Sequence, residues 1–274
     1  MISPGIPSTS KKVPDYSIYA IPKVVNDIND CYFYHTMDIP GYGCLEGEWD
    51  LRKSANKYLG GVNFGGKRVL EIGTASGFLC FYMENNGADV VAFDLSKEHS
   101  LDSVPYTRIQ NKMEEENSNR SMIERLNNSF WLSHAAYNSN AKAVYGSVYK
   151  IPENIGEFDI STFGCILLHL RDPFLALQNA LKLTKETVIV TDVIPKRFSF
   201  HLLLSKLGLS DMMFLPQFNK GEPKIGWWFL PPEIIKKFIS VLGFEQIEVT
   251  YHFSSKFNEK KRLLYTIVGH RTES

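Results

Sequence analysis

The chain has 274 residues, 44% of them hydrophobic, enough to bury one sizeable core with elaborations. Its 30 Lys and Arg balance 30 Asp and Glu, and a formal net charge of zero argues against a whole surface built to grip nucleic acid or anionic membrane. No run of about 18 apolar residues suits a membrane span, and "MISPGIPSTSKKVP" lacks the apolar core of a signal peptide, so a cytoplasmic protein without a membrane partner is expected. Cys31, Cys44, Cys80 and Cys165 are scattered with no C-x-x-C pair. That predicts reduced, mostly buried thiols and no metal site.

In chain order, the first dozen residues are rich in Pro and Ser, which predicts disorder. "IYAIPKVVNDI" reads as a short helix, and "CYFYHTMDIPGYGCLEGEWDLRK" as an ordered, aromatic, Gly-punctuated loop. Together they form an amino-terminal tail and cap over residues 1–60, ahead of a core over 61–274. "RVLEIGTASGFLCFYM" opens the core with a strand, Arg68 to Ile72, a turn, and helix formers from Phe78 to Met83. "ADVVAFDLS" is a second strand ending at Asp94. "NKMEEENSNR" reads as a solvated loop and helix start, and "SMIERLNNSFWLSHAAYNS" spaces Met122 and Leu126 as a helix does.

"AKAVYGSVY" and "EFDISTFGCILLHL" supply the third and fourth strands, and "DPFLALQNALKLT" a helix opened by Asp172 with Pro173 in its first turn. After a fifth strand, "ETVIVTDVI", residues 195–230 interrupt the alternation as an aromatic, Gly/Pro-rich insertion. "PPEIIKKFISVLGF" is a helix ending near Gly243, and "EQIEVTYHF" and "RLLYTIVGH" are closing strands joined by "SSKFNEKK" as a turn. Strands alternating with helices predict an α/β fold with a doubly wound, mostly parallel, seven-stranded sheet.

The turn Gly73-Thr74-Ala75-Ser76-Gly77 lies where open α/β sheets bind ligands. A dinucleotide fingerprint needs glycines where Ala75 and Phe78 stand, and a P-loop needs a Gly-Lys-Ser/Thr ending that "SGF" lacks. The surviving ligand type has no phosphate there, needs close backbone approach, and has a ribose to meet one strand later. S-adenosylmethionine fits that description.

The pattern over residues 68 to 270 resembles the class I S-adenosylmethionine-dependent methyltransferases, with "VLEIGTASGFL" similar to their first motif and "VVAFDLS" to their second. "FGCILLHLRDPFLALQNAL", "WWFLPPEIIKKFISVLGFEQIEV" and the amino-terminal "YHTMDIPG" and "GEWDLR" resemble the branch that contains carboxymethyltransferases of tRNA wobble uridine and related small-molecule enzymes.

The resemblance implies that Glu71 orients the methionine amino group, often through water, while Gly73, Thr74, Ala75 and Gly77 carry the loop. Ala75 departs from the usual central glycine. Asp94, followed by Leu95, would accept from the ribose hydroxyls; Ser147 and Val148 would offer adenine contacts in place of the acid many relatives carry there; Gly164 would close the cofactor site. His169 is the first candidate for a base and His35 the second, each set against a structural role. Tyr34, Trp227, Trp228 and Arg171 are candidates for holding the acceptor; Arg52, Arg171 and Arg197 could each pair with a carboxylate on substrate or cofactor, against the commoner reading as surface ion pairs. The expected activity is methyl transfer to oxygen or nitrogen of a small, planar or hydrophobic molecule of natural-product type. The alternatives are tRNA wobble-base modification, disfavoured by the neutral charge, and a cofactor-binding scaffold without catalysis.

Overall fold

The computed structural model describes residues 18–106, 112–198, 211–217, 226–256 and 260–272. The expected disordered terminus lies outside them. The stretch "IYAIPKVVNDI" is irregular and not helical, with only a 3-10 turn at Ile28–Asp30. Tertiary contacts override its apolar spacing: the Ala20 N–H donates to the Ala143 carbonyl at 2.8 Å, Lys23 Nζ to Asn128 Oδ1 at 2.7 Å, and Pro22 disfavours α geometry at Ile21.

The cap continues as a short hairpin, β1 (Met37–Ile39) with β2 (Gly43–Leu45), then β3 (Trp49–Asp50) and a one-turn helix α1 (Ala55–Tyr58). The core alternates β4 (Arg68–Ile72), α2 (Phe78–Asn85), β5 (Asp89–Asp94), α3 (Lys112–Tyr137), β6 (Lys142–Tyr145), β7 (Phe158–Gly164), α4 (Pro173–Leu181) and β8 (Thr184–Ile194). A two-stranded ribbon, β9 (Met213–Phe214) with β10 (Trp228–Phe229), belongs to the insertion, of which residues 199–210 and 218–225 lie outside the described residues. Helix α5 (Pro232–Val241) leads into β11 (Gln246–Lys256) and β12 (Lys260–His270), so the closing strands extend through most of the segment expected as a turn.

The main sheet runs β3-β11-β12-β8-β7-β4-β5-β6. The five strands from β6 to β8 are mutually parallel, and β12, β11 and β3 are antiparallel additions. Seven strands match the expectation. The eighth is the cap's own β3, whose two residues pair with Ser255 and Lys256. Parallel strands covered on both faces need apolar side chains on both, and β4 and β5 are buried along almost their whole length. One face holds Leu70, Val91, Phe163, Val190 and Tyr265 against α4 and α5; the other holds Val69, Val90, Ile160 and Leu264 against α2, α3 and the cap. Each such Leu or Val contributes about 1.5–3 kcal/mol by burial.

Local signals set the helix starts. The Asp172 side chain accepts from the Leu175 N–H at 2.9 Å with Pro173 in the first turn, and Glu114 and Glu115 sit in the first turn of α3, where the dipole favours them. From β4 the chain proceeds to β5 on one side and later returns to β7 on the other, leaving a crevice at the carboxyl end of β4.

Candidate active site

The glycine loop rises from β4 into that crevice. The Gly73 N–H is held by the Phe93 carbonyl at 2.8 Å and the Gly77 N–H by the Thr74 carbonyl at 2.9 Å. Gly77 has φ +88°, and a Cβ there would lie 2.5 Å from Phe81 Cε2 and 2.8 Å from Phe130 Cδ2, so any side chain would force α2 and α3 apart. Ala75 is also left-handed, with φ +50°, which explains why glycine is the usual residue at this point of the motif and what its replacement costs, roughly 1–2 kcal/mol.

Asp94 ends β5 with its carboxylate aimed by two backbone donors. Oδ2 accepts from the Ala75 N–H and Oδ1 from the Leu95 N–H, both at 2.7 Å. The side chain therefore braces the glycine loop, and each oxygen keeps a lone pair for a further donor. Burial raises its pKa, and the two N–H groups pull it back. Glu71 lies deeper, 3% exposed, with Oε2 accepting from Thr74 Oγ1 at 2.6 Å. Burial pushes its pKa up to about 8, the Thr74 hydroxyl opposing. Such a group gains from a cation placed beside it.

The cleft over these residues has a volume of about 510 Å³. It brings together Gly73, Ala75, Asp94, Leu95, Ser147, Val148, Gly164 and His169 from the core, and Tyr34 from the cap. Thr74 and Gly77 do not line it; they hold Glu71 and the loop from behind. Ser147 Oγ accepts from the Tyr149 N–H at 3.3 Å, so its hydroxyl caps its own turn while facing the cleft. His169, half-buried in the 3-10 turn Leu167–His169 that follows β7, faces the same space. His35 lies elsewhere, in a small chamber behind the loop.

Sequence reasoning missed the loop after β5. Asp102 there accepts from the Arg171 N–H at 2.6 Å and from the Tyr149 hydroxyl, and its Oδ1 lies 3.5 Å from Arg171 Nε. Its carbonyl accepts from Trp227 Nε1 at 2.5 Å. Arg171 stacks over the buried Trp227 ring at 5.0 Å, and Trp228 Nε1 donates to the Arg171 carbonyl at 3.1 Å. Arg171, Trp227 and Trp228 thus form a latch beside the cleft rather than its lining. Arg52 pairs with Asp38 and Asp50 inside the cap, and Arg197 stacks on its neighbour Phe198. Glu48 and Tyr32, hydrogen-bonded to each other, bring the cap's polar edge to the cleft. The remaining wall is largely apolar, with Leu101, Met122, Leu126, Ile166, Leu168 and Leu170. No Lys or Arg among the described residues lines it.

No protein-family model matches the sequence, and no curated protein matches it. Solved structures do. The chain is similar to the N-terminal domain of EvdMO1, crystallised in the presence of S-adenosylhomocysteine and D-fucose, at 14% identity over 89% of this chain and 93% of that one, with a TM-score of 0.54. It is also similar to a SAM-dependent methyltransferase from Methanosarcina mazei at 12% identity over 76% of this chain and 93% of that one, with a TM-score of 0.50. The chain has the class I methyltransferase fold.

Proposed function

We propose that the protein is an S-adenosylmethionine-dependent methyltransferase acting on oxygen or nitrogen of a small, planar or hydrophobic molecule. One observation carries this reading: at the carboxyl end of β4 and β5, a glycine loop without a dinucleotide or P-loop signature is braced by Asp94, whose two oxygens each retain capacity for a ribose hydroxyl. The donor set also fits the ligand's charge. A buried Glu71 and a cleft without lysine or arginine among its described residues suit an ammonium and a sulfonium. Bound there, the cofactor would supply a methyl group already activated on positive sulfur.

What remains for the chain is placement. Asp94 holds the diol, the loop brings backbone close, and the apolar wall from Leu101, Met122 and Leu126 offers contact area to an apolar acceptor. His169 is the described imidazole facing the cleft, placed to take a proton from an acceptor hydroxyl or amine. The tested outcome is thermal stabilisation by S-adenosylhomocysteine and none by NAD; an equal shift with NAD overturns the reading. Tight, steeply salt-dependent binding of bulk tRNA would replace the small acceptor with an RNA one.

A further inference from the structure

Behind the glycine loop lies a chamber of about 30 Å³ bordered by Tyr34, His35, Tyr58, Glu71, Thr162 and Thr191. That is room for one or two waters. Two of its polar walls have unused capacity. His35 Nδ1 is fully buried and has no hydrogen-bond partner, and of the two Glu71 oxygens only Oε2 is engaged, by Thr74, among the described residues. Thr191 Oγ1, by contrast, is committed to the Tyr58 carbonyl at 2.6 Å and to Thr266 Oγ1 at 2.8 Å.

The backbone around His35 is held in place from three sides. Its backbone N–H donates to Ser76 Oγ of the glycine loop at 3.2 Å. On either side of it, the Trp49 N–H donates to the Tyr34 carbonyl at 3.1 Å and the Thr36 N–H to the Trp49 carbonyl at 2.7 Å. Gly47 closes over its carbonyl so tightly that a Cβ would come within 2.4 Å of the His35 carbonyl carbon. The ring meets Tyr34 edge-on at 5.0 Å and Phe78, the first residue of α2, at 5.9 Å. A cap that packs its one buried imidazole against the first motif, with an unpaired nitrogen on a residue that borders the same chamber as a half-used carboxyl, has the makings of a water site.

We propose, on the reading that the cleft holds S-adenosylmethionine, that His35 is a positioning residue: it and Glu71 hold a shared water in this chamber, and through it the cap fixes the amino-acid end of the cofactor. Burial drives the His35 pKa down to about 4, so the ring is neutral at pH 7 and offers one nitrogen as donor and one as acceptor. A neutral ring adds no charge to repel the ammonium.

The test separates the two ends of the ligand. S-adenosylhomocysteine carries the amino-acid end and methylthioadenosine lacks it, and each is titrated by calorimetry into the wild type, His35→Phe and His35→Asn, with melting temperature recorded for every variant. His35→Phe is expected to weaken S-adenosylhomocysteine about 10-fold while leaving methylthioadenosine unchanged, and His35→Asn to restore most of the loss. Equal weakening of both ligands, no weakening of either, or no rescue by Asn overturns the proposal. Failure of the wild type to bind S-adenosylhomocysteine would instead strike the parent reading. If His35→Phe does not fold, a crystal structure of the wild type decides: a water bonded to both His35 Nδ1 and Glu71 supports the proposal, and a chamber without one overturns it.

Discussion

Asp94 and His169 face the same cleft but answer to different measurements. Asp94 has its orientation fixed by the Ala75 and Leu95 N–H groups, so replacing it removes a preorganised, charge-assisted acceptor. Asp94→Ala is expected to weaken S-adenosylhomocysteine by roughly 1.5–3 kcal/mol in calorimetry, together with a loss of stability from the Ala75 and Leu95 N–H groups it leaves unpaired, so the melting temperature is recorded alongside. Unchanged affinity would mean that the diol lies elsewhere. His169 stands in a turn just beyond the end of β7, on the wall of the same cleft. As a base, His169→Ala should lower turnover by about 10²–10⁴-fold at constant cofactor affinity. A drop in melting temperature with an unaltered rate per folded molecule would remove it from the chemistry.

Among elements, the latch around Asp102 joins three segments that are distant in sequence: the loop after β5, the turn after β7 and the ribbon β9–β10. Asp102→Ala leaves the Arg171 N–H and the Tyr149 hydroxyl without their acceptor, which should cost about 2–3 kcal/mol in chemical denaturation. The cleft wall should loosen with it, so cofactor affinity falls less than stability but measurably. A variant with wild-type denaturation would show the latch to be ornamental. This is also where the sequence stops being legible. Strands β4, β5 and β8 are apolar runs bounded by turns, and Asp172-Pro173 marks a helix start in two residues, because those signals are local. Asp102 and Glu48 sit in irregular segments, and only the tertiary fold brings each to the cleft. Ile18 to Ile28 misleads for the same reason: its apolar spacing suits a helix, but it docks onto Ala143 and Asn128 as an irregular segment.

For the molecule as a whole, the buried acids and histidines pull stability in opposite directions with pH. Glu71 is raised to about 8 and Asp192, 3% exposed with its Oδ1 on the Val193 N–H, to about 7, both by burial. The folded state therefore holds protons that the unfolded chain has released, so stability falls as pH rises from the ordinary carboxyl range through those values. His35, depressed to about 4 by burial, acts the other way: its contribution is whole above the ordinary histidine pKa and is lost as pH falls towards 4. The ligand-free protein should melt highest on the mildly acidic side of neutrality. Added S-adenosylhomocysteine should flatten the alkaline limb, since an ammonium beside Glu71 makes its ionised form favourable. Melting curves from pH 4 to 9 with and without ligand check both statements; a ligand-free maximum above pH 8 contradicts them.

The short strand β3 ties the cap to a strand far from it in sequence. Trp49 and Asp50 pair with Lys256 and Ser255, and Ser54 Oγ lies 2.9 Å from Ser254 Oγ, 200 residues away in sequence. Contacts of such separation form late, because the loop they close must be ordered first. On the ribosome, Tyr34 and His35 emerge before any of the sheet, and the strand that seats their cap is made long after them. A nascent chain that has emerged only through β8 already has the strands and loop that carry Glu71 and Asp94, while its cap still lacks the β11 edge on which it docks.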